Sequence, residues 1–331
     1  MSLLSHPKVS IIVTTFNNEK TIGACLNSIF ELNYPKDLIE VIVIDGCSKD
    51  TTIKIAKTFP VNLISKSLNA PAAYNYALKI VDASIIGFID SDAKVEQEWL
   101  NKLLVNLANS QVAGVSGNIE TWNTKNLWAR SIGYDLKSRY DRIKKPVTRI
   151  ATMNLLLKKR ILEEVGGFDE NLPSQYDTDL GFRISARGYK ILLEPKAKCY
   201  HYNRTNVKAY FKQQLQYGKN TIKLYFKHHE LIKGDEITDI GMNIQPLIIL
   251  SSIFFFILGL VDFLRPLWLF SIGLIFSLFI YFLFSAIKLS MRFSDKTALL
   301  LIILYFVRAI AWSTGAAISA IKYVLGKNGE N

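Results

Sequence analysis

Cysteine and histidine are scarce in this chain, three of one and four of the other in 331 residues. Cys25, Cys47 and Cys199 stand at no spacing that a zinc site uses, and their number and separation exclude a disulfide framework. Residues 1–8 lack the apolar core of a signal peptide, so the part that follows is expected to stay in the cytosol. No internal repeat and no low-complexity tract is present, which removes solenoids and polar tethers from consideration. Acidic residues are also short, 28 against 40 lysines and arginines, leaving a formal charge of +12. Many of the lysines fall within 198–233, interleaved with Tyr210, Phe211, Tyr217, Tyr225 and Phe226. Basic and aromatic residues mixed in this way suit an anionic membrane surface, so membrane lipids are the expected partner and nucleic acid is not.

What the chain has in abundance is apolar sequence at one end. Residues 246–261, 266–287 and 298–321 form three long apolar runs, the second without a charge. A bilayer core takes about 20 helical residues to cross. The first run reaches that length only if Ile244 and Phe263 extend it, and the third carries Arg308. Within a span Arg308 either snorkels to the interface or faces a bundle groove and meets the phosphate of a lipid. Ala311, Gly315 and Ser319 make a stripe of small residues suited to helix packing. Lys288, Arg292 and Lys296 lie between the second and third runs, whereas Arg265 in the shorter link is opposed by Asp262. Positive-inside reasoning places the longer link and the amino-terminal part on the cytoplasmic side; Lys322 and Lys327 pull against it.

Before those runs, β-branched and helical periods alternate. Strands are expected at 9–13, 39–44, 61–65 and 85–89, with amphipathic helices between them, the pattern of a doubly wound α/β sheet. A helix over 97–107, strands at 112–115, 154–157 and 190–193, and a helix over 177–187 closed by Gly188 complete the reading. Residues 119–148, rich in Trp, Tyr, Lys and Arg, are expected to form an acceptor-side loop or a charged helical surface.

Polar residues gather where these strands end. Asp90-Ser91-Asp92 follows the apolar run 85–89, and two carboxylates at a strand end can hold a divalent cation and a phosphorylated ligand, or simply cap the next helix. Asp45 follows 39–44 and precedes Gly46, where the backbone can approach a flat ligand. Thr15, Asn17 and Glu19 end the first strand; Asn17 and Glu19 can also serve as turn or capping residues, and Ser48 and Asp50 read as structural. Asp177 and Asp179 open a helix two positions apart and point in different directions, so they do not duplicate one role. Either can be a carboxylate favoured by the helix dipole. His201 and Arg204 precede the basic aromatic segment, His201 reading equally as a site residue or a surface one.

Taken together, Val9-Ser10-Ile11-Ile12-Val13-Thr14-Thr15-Phe16-Asn17, Asp45-Gly46-Cys47-Ser48-Lys49-Asp50, Asp90-Ser91-Asp92, Gly166-Gly167-Phe168-Asp169 and Asp177-Thr178-Asp179-Leu180 with Arg183 resemble the family 2 glycosyltransferases. The resemblance covers roughly residues 8–220. It implies the GT-A nucleotide-diphospho-sugar transferase fold and inverting transfer from a nucleoside-diphosphate sugar. By that resemblance Asp92 and Asp90 hold Mg²⁺ or Mn²⁺, with Asp90 also near the ribose. Asp45 bonds the nucleotide base, Thr15, Asn17 and Glu19 line the same pocket, and Asp177 is the catalytic base.

The chain departs from the family pattern at Thr14, Asn69, Tyr74, Ala83 and Tyr176. Where processive members carry Gln-x-x-Arg-Trp it has Gln213-Gln214-Leu215-Gln216-Tyr217, which argues for adding one sugar rather than a polymer. The expected organisation is a cytosolic transferase domain over 1–200, a basic amphipathic membrane-interface segment over 201–243 and three transmembrane helices over 244–325. The expected acceptor is a polyprenyl-linked saccharide or glycolipid. Bare polyprenyl phosphate, a processive synthase and an inactive nucleotide-sugar-binding scaffold are the alternatives.

Overall fold

A computed structural model describes residues 6–143 and 146–326. Residues 1–5 and Lys327, which entered the reading of the amino terminus and of the charge balance, lie outside the described residues. Two compact units are present: Met1–Trp122 with Arg142–Tyr202, and Asn123–Asp141 with Asn203–Asn331.

The first unit is an α/β sandwich. In chain order it contains β1 (Val9–Thr15), α1 (Ile22–Phe30), β2 (Ile39–Asp45), α2 (Thr52–Ala56), β3 (Asn62–Ser65), α3 (Ala70–Ile80), β4 (Ile85–Phe88), β5 (Ala93–Val95), α4 (Trp99–Leu107) and β6 (Val112–Thr121). After α5 (Leu127–Tyr140), which belongs to the second unit, come β7 (Leu155–Lys158), α6 (Lys159–Glu164), α7 (Tyr176–Ala186) and β8 (Lys190–His201). The sheet order is β3-β2-β1-β4-β7-β6-β8-β5. β3, β2, β1 and β4 run parallel, and β7 is antiparallel to both its neighbours. Val9, Ile11, Ile12 and Val13 are fully buried, as a central parallel strand covered on both faces requires. Since β1 has β2 on one side and β4 on the other, the strand order reverses there, and the carboxyl ends of these strands border the crevice in which open α/β sheets bind ligands.

Two strands run further than their apolar patterns predict. β6 continues to Thr121 and β8 passes Pro195 to reach His201. The register between them jumps from Gly117↔Glu194 to Asn118↔Lys198, a bulge that takes Pro195 out of the ladder. Asn154, wholly buried, fills the gap: its Nδ2 donates to the Asn118 carbonyl at 2.8 Å and its Oδ1 accepts from Trp99 Nε1 at 2.6 Å. A Cβ on Gly117 would stand 2.2 Å from the Ala197 carbonyl oxygen, so this position excludes any side chain.

The second unit holds α5, α8 (Val207–Lys227), α9 (Ile240–Leu258), α10 (Leu267–Phe293) and α11 (Leu301–Val324). Three of its helical stretches, Ile240–Leu258, Leu267–Phe293 and Lys296–Lys322, are long and apolar enough to cross a membrane, with mean hydropathies of 1.9, 2.3 and 1.8. The first starts earlier than expected, with Asp239 capping it and Pro246 inside it. In its 18-residue apolar window half of the third is buried within the protein, against 22% and 17% in the windows of the first and second, so α11 is the most enclosed of the three. Leu269, Phe270, Phe276 and Phe284 of α10 face outward, consistent with a helix that crosses a membrane.

Of the stretch 119–148, in which residues 144 and 145 lie outside the described residues, Leu127–Tyr140 is α5, capped by Asn126, which accepts from the Ala129 N–H. α5 supplies the counter-ion for Arg308. Arg308 is buried, its Nη1 lies 3.3 Å from Asp135 Oδ2, and its guanidinium rests 4.6 Å from the Tyr305 ring centre. Arg139 and the Tyr305 hydroxyl reach the same carboxylate at 2.9 Å each. The small-residue stripe on α11 packs against α8: a Cβ on Gly315 would stand 2.6 Å from the Leu215 carbonyl oxygen, and Ser319 donates to the Lys219 carbonyl. Gln214 of α8 accepts from Trp312 Nε1 at 2.9 Å.

Candidate active site

Register brings the strand-end residues together. Thr15 of β1 pairs with Asp45 of β2, and Asp45 pairs with Ser65 of β3. Asp45 is fully buried, and its carboxylate accepts from the Ser48 N–H at 2.8 Å, from the Ser48 hydroxyl and from the Ser65 hydroxyl at 3.2 Å. Thr15 is buried too, and its Oγ1 lacks a hydrogen-bond partner. An orphaned hydroxyl at the edge of a ligand crevice is a costly feature that a polar ligand there would satisfy.

Asn17 and Glu19 cross-link the first strand end to the turn after β2. Asn17 is in the left-handed region at φ 51°; its N–H donates to Ser48 Oγ and its Oδ1 accepts from the Lys49 N–H, both at 2.8 Å. Glu19 Oε2 accepts from the hydroxyl and the N–H of Thr51 at 2.8 and 3.1 Å. These contacts tie the end of β1 to the turn after β2.

Asp90 and Asp92 flank the buried Ser91 in the turn after β4, where Ser91 Oγ accepts from Asn18 Nδ2. Asp90 Oδ1 accepts from the Tyr74 hydroxyl at 3.1 Å and the Thr152 hydroxyl at 3.2 Å. Burial, then the Asp92 carboxylate, pushes the Asp90 carboxyl up to about 7, against the opposing pull of His201. His201, carried here because β8 extends to pair with β5, is buried with Nε2 3.5 Å from Asp92 Oδ1. Sequence periodicity ended β8 at 193 and so missed the signal that would have placed this histidine.

Asp177 lies in the first turn of α7, after Gln175 turns the chain at φ 61°. The Tyr74 hydroxyl donates to Asp90, and the Tyr74 ring lies 5.9 Å from that of Tyr176, which immediately precedes Asp177, so α7 opens on the side of Tyr74 that Asp90 also meets. Burial raises the Asp177 carboxyl above the usual range, while the Thr178 N–H at 2.8 Å and the charge of Arg149 oppose the shift. Asp179 differs: it is wholly buried and paired with Arg183 Nε at 2.8 Å. Arg183 then donates to the Val165 and Gly167 carbonyls at 2.6 Å each. The turn it holds has Gly166 at φ 81° and Gly167 at φ 67°, and a Cβ on Gly167 would stand 2.5 Å from Asn75 Oδ1.

Three positions where the chain departs from the family pattern meet inside this site. Thr14 donates to the Tyr74 hydroxyl at 3.2 Å, and the Tyr74 and Tyr176 rings lie 5.9 Å apart. Burial pushes the thiols of Cys25 and Cys199 well up, so neither supplies a thiolate here.

Among the described residues no three His, Cys, Asp or Glu side chains form a metal cluster by themselves. Asp90 and Asp92 nonetheless fit a hard divalent cation of the kind that takes one or two carboxylates and completes its shell with phosphate oxygens and water.

Comparisons with known proteins bear on the family and the fold. Residues 10–166 match the family model described as Glycosyl transferase family 2. Glycosyltransferase AglE of Haloferax volcanii is 26% identical over 234 residues, spanning 66% of this chain and 74% of that protein. A Methanococcus voltae enzyme named as a dolichyl N-acetyl-alpha-D-glucosaminyl phosphate glucuronosyltransferase, of a diacetamido-dideoxy sugar, is 23% identical across 63% of this chain and 71% of its own length. Among solved structures, a mannosyltransferase of Pyrobaculum calidifontis in complex with GDP-Man and Mn²⁺ superimposes with a TM-score of 0.60 at 19% identity, covering 98% of this chain and 89% of that one. Residues 10–166 therefore carry a glycosyl transferase family 2 domain with a GT-A-like α/β fold, whose family-level activity is sugar transfer from a nucleotide sugar, and three carboxyl-terminal apolar helices of membrane-spanning length follow it.

Proposed function

We propose that this protein is an inverting glycosyltransferase that moves one sugar from a nucleoside-diphosphate sugar to a lipid-linked saccharide at the cytoplasmic face of a membrane. The observation that carries this reading is the grouping around Tyr74: its hydroxyl donates to Asp90, two residues from Asp92, and its ring lies 5.9 Å from that of Tyr176, which immediately precedes Asp177. Asp92 and Asp90 would hold Mn²⁺ or Mg²⁺, which when bound supplies positive charge to the departing diphosphate. Asp45 and Thr15 receive the nucleoside, with Asn17 and Glu19 shaping its wall.

Asp177 takes the proton from the acceptor hydroxyl as that oxygen forms its bond to the anomeric carbon. The bond from that carbon to the diphosphate breaks on the opposite face, and the nucleoside diphosphate leaves with the electron pair. A carboxylate titrating above the ordinary range is a better base near neutral pH than an exposed one. Three apolar helices in the same chain, and a relative whose name gives it a dolichyl-phosphate-linked sugar as acceptor, support a lipid-linked acceptor here.

The test is transfer by the purified full chain, in nanodiscs, from labelled nucleotide sugars to membrane lipid extract, with and without Mn²⁺ or Mg²⁺, followed by mass analysis of the product. Asp177→Asn should lower kcat by about 100-fold or more while donor affinity stays near the wild-type value. Asp92→Ala should weaken metal-dependent donor binding itself. Near wild-type turnover by Asp177→Asn, or no transfer to lipid under any metal condition, would overturn the reading.

A further inference from the structure

Tyr74 sits in the middle of α3, wholly buried, and touches Asp90, Phe168 and Tyr176. Its hydroxyl lies 3.1 Å from Asp90 Oδ1, and that same oxygen takes the Thr152 hydroxyl at 3.2 Å. With Oδ1 engaged twice, Oδ2 is the oxygen left for a ligand. The Tyr74 ring stacks on Phe168 at 5.0 Å and 29°, meets Phe88 edge-on at 5.3 Å and lies 5.9 Å from the Tyr176 ring. Phe168 belongs to the double-glycine turn, and Tyr176 immediately precedes Asp177.

The next residue on α3 completes the grip. Asn75 Oδ1 accepts from the Phe168 N–H and its Nδ2 donates to the Phe168 carbonyl, both at 2.8 Å. The same Nδ2 donates to Glu170 Oε1 at 2.9 Å. A pair of bonds to one backbone unit leaves Phe168 little freedom to slide along the Tyr74 ring. The placement of Tyr176 against both rings is therefore set from α3, and Asp177 follows it.

We propose that Tyr74 is a positioning residue with two separable tasks. Its hydroxyl fixes the rotamer of Asp90 so that Oδ2 faces the cation, and its ring, through Phe168 and Tyr176, sets where Asp177 stands. This rests on the reading that Asp90 and Asp92 hold the cation and that Asp177 is the base. A tyrosine that only filled space would be replaced by phenylalanine without consequence for the metal, because phenylalanine keeps the ring and its stacking.

The experiment measures Mn²⁺ binding without turnover, by the loss of the free-ion electron paramagnetic resonance signal, on the full-length protein in detergent. Transfer kinetics at saturating Mn²⁺ are measured alongside. Tyr74→Phe should raise the Mn²⁺ dissociation constant about tenfold, the effect of one lost hydrogen bond to a charged group. Its kcat at saturating Mn²⁺ should change much less. Tyr176→Leu, which removes the ring contact from the base side, should do the reverse, lowering kcat by about tenfold with Mn²⁺ affinity unchanged.

Wild-type Mn²⁺ affinity in Tyr74→Phe overturns the hydroxyl's task, and wild-type kcat in Tyr176→Leu overturns the ring's. In both cases the cation reading stands provided Asp92→Ala has lost Mn²⁺. If Asp92→Ala binds Mn²⁺ as wild type does, the cation reading fails and the hydroxyl's task falls with it.

Discussion

At the scale of single residues, the acids of the site are sorted by what surrounds them. Asp179 is neutralised by Arg183 and spends its charge on holding a turn, whereas Asp90 and Asp177 are buried without a comparable partner and titrate high. Their sign of linkage follows. A carboxyl whose folded pKa is raised contributes its stability in full below the unfolded value of about 4, and that contribution is lost as pH rises through the folded value. For Asp90 the loss runs from about 4 and is complete by about 7. Cation binding needs the ionised form, so its affinity increases across the same window. Thermal unfolding of the metal-free protein in detergent should therefore show the gain in Tm from added Mn²⁺ growing as pH is raised from about 5 to 8. A Tm increment independent of pH would count against Asp90 as a ligand.

At the scale of elements, α5 and α11 depend on each other through charge. Asp135 faces Arg308 and Arg139, so removing it leaves two guanidinium groups with no carboxylate at that point of a largely apolar bundle. Breaking a buried pair from one side costs about 3–5 kcal/mol. Asp135→Ala should accordingly lower the unfolding free energy of the detergent-solubilised protein by about that amount. Adding Arg308→Met to the same chain should recover part of it, because one of the uncompensated charges goes as well. If Asp135→Ala unfolds like wild type, the network does not hold these helices. The packing of α11 on α8 is of another kind: Gly218 and Gly315 let the two backbones touch, so it rests on shape rather than charge.

At the scale of the whole molecule, the chain joins a nucleotide-sugar-type α/β unit to a helical unit with membrane-spanning segments. Its cysteines offer a direct test of the proposed cytoplasmic orientation. Cys47 is exposed on the turn after β2, while Cys25 and Cys199 are buried. A membrane-impermeant maleimide should leave Cys47 unmodified in intact cells and label it once the membrane is permeabilised. Labelling in intact cells would place the transferase unit on the outer face.

Much of this protein was legible locally. Hydrophobic period two or continuous, followed by polar residues, marks a strand and its carboxyl end wherever it occurs, and this located Thr15, Asp45, Asp90 and Asp92 on one edge. Long apolar runs marked the three helices of membrane-spanning length in the same way. Neither inference needs to know what lies across the fold. What only the tertiary structure decided is partnership. Arg308 meets Asp135 from 173 positions away, His201 reaches Asp92 because β8 continues past Pro195, and Tyr74 settles on Asp90, Phe168 and Tyr176. The physical reason is burial. A charge or hydroxyl withdrawn from water must find its counterpart in the interior, and which counterpart is within reach depends on how distant segments pack, which no local period records.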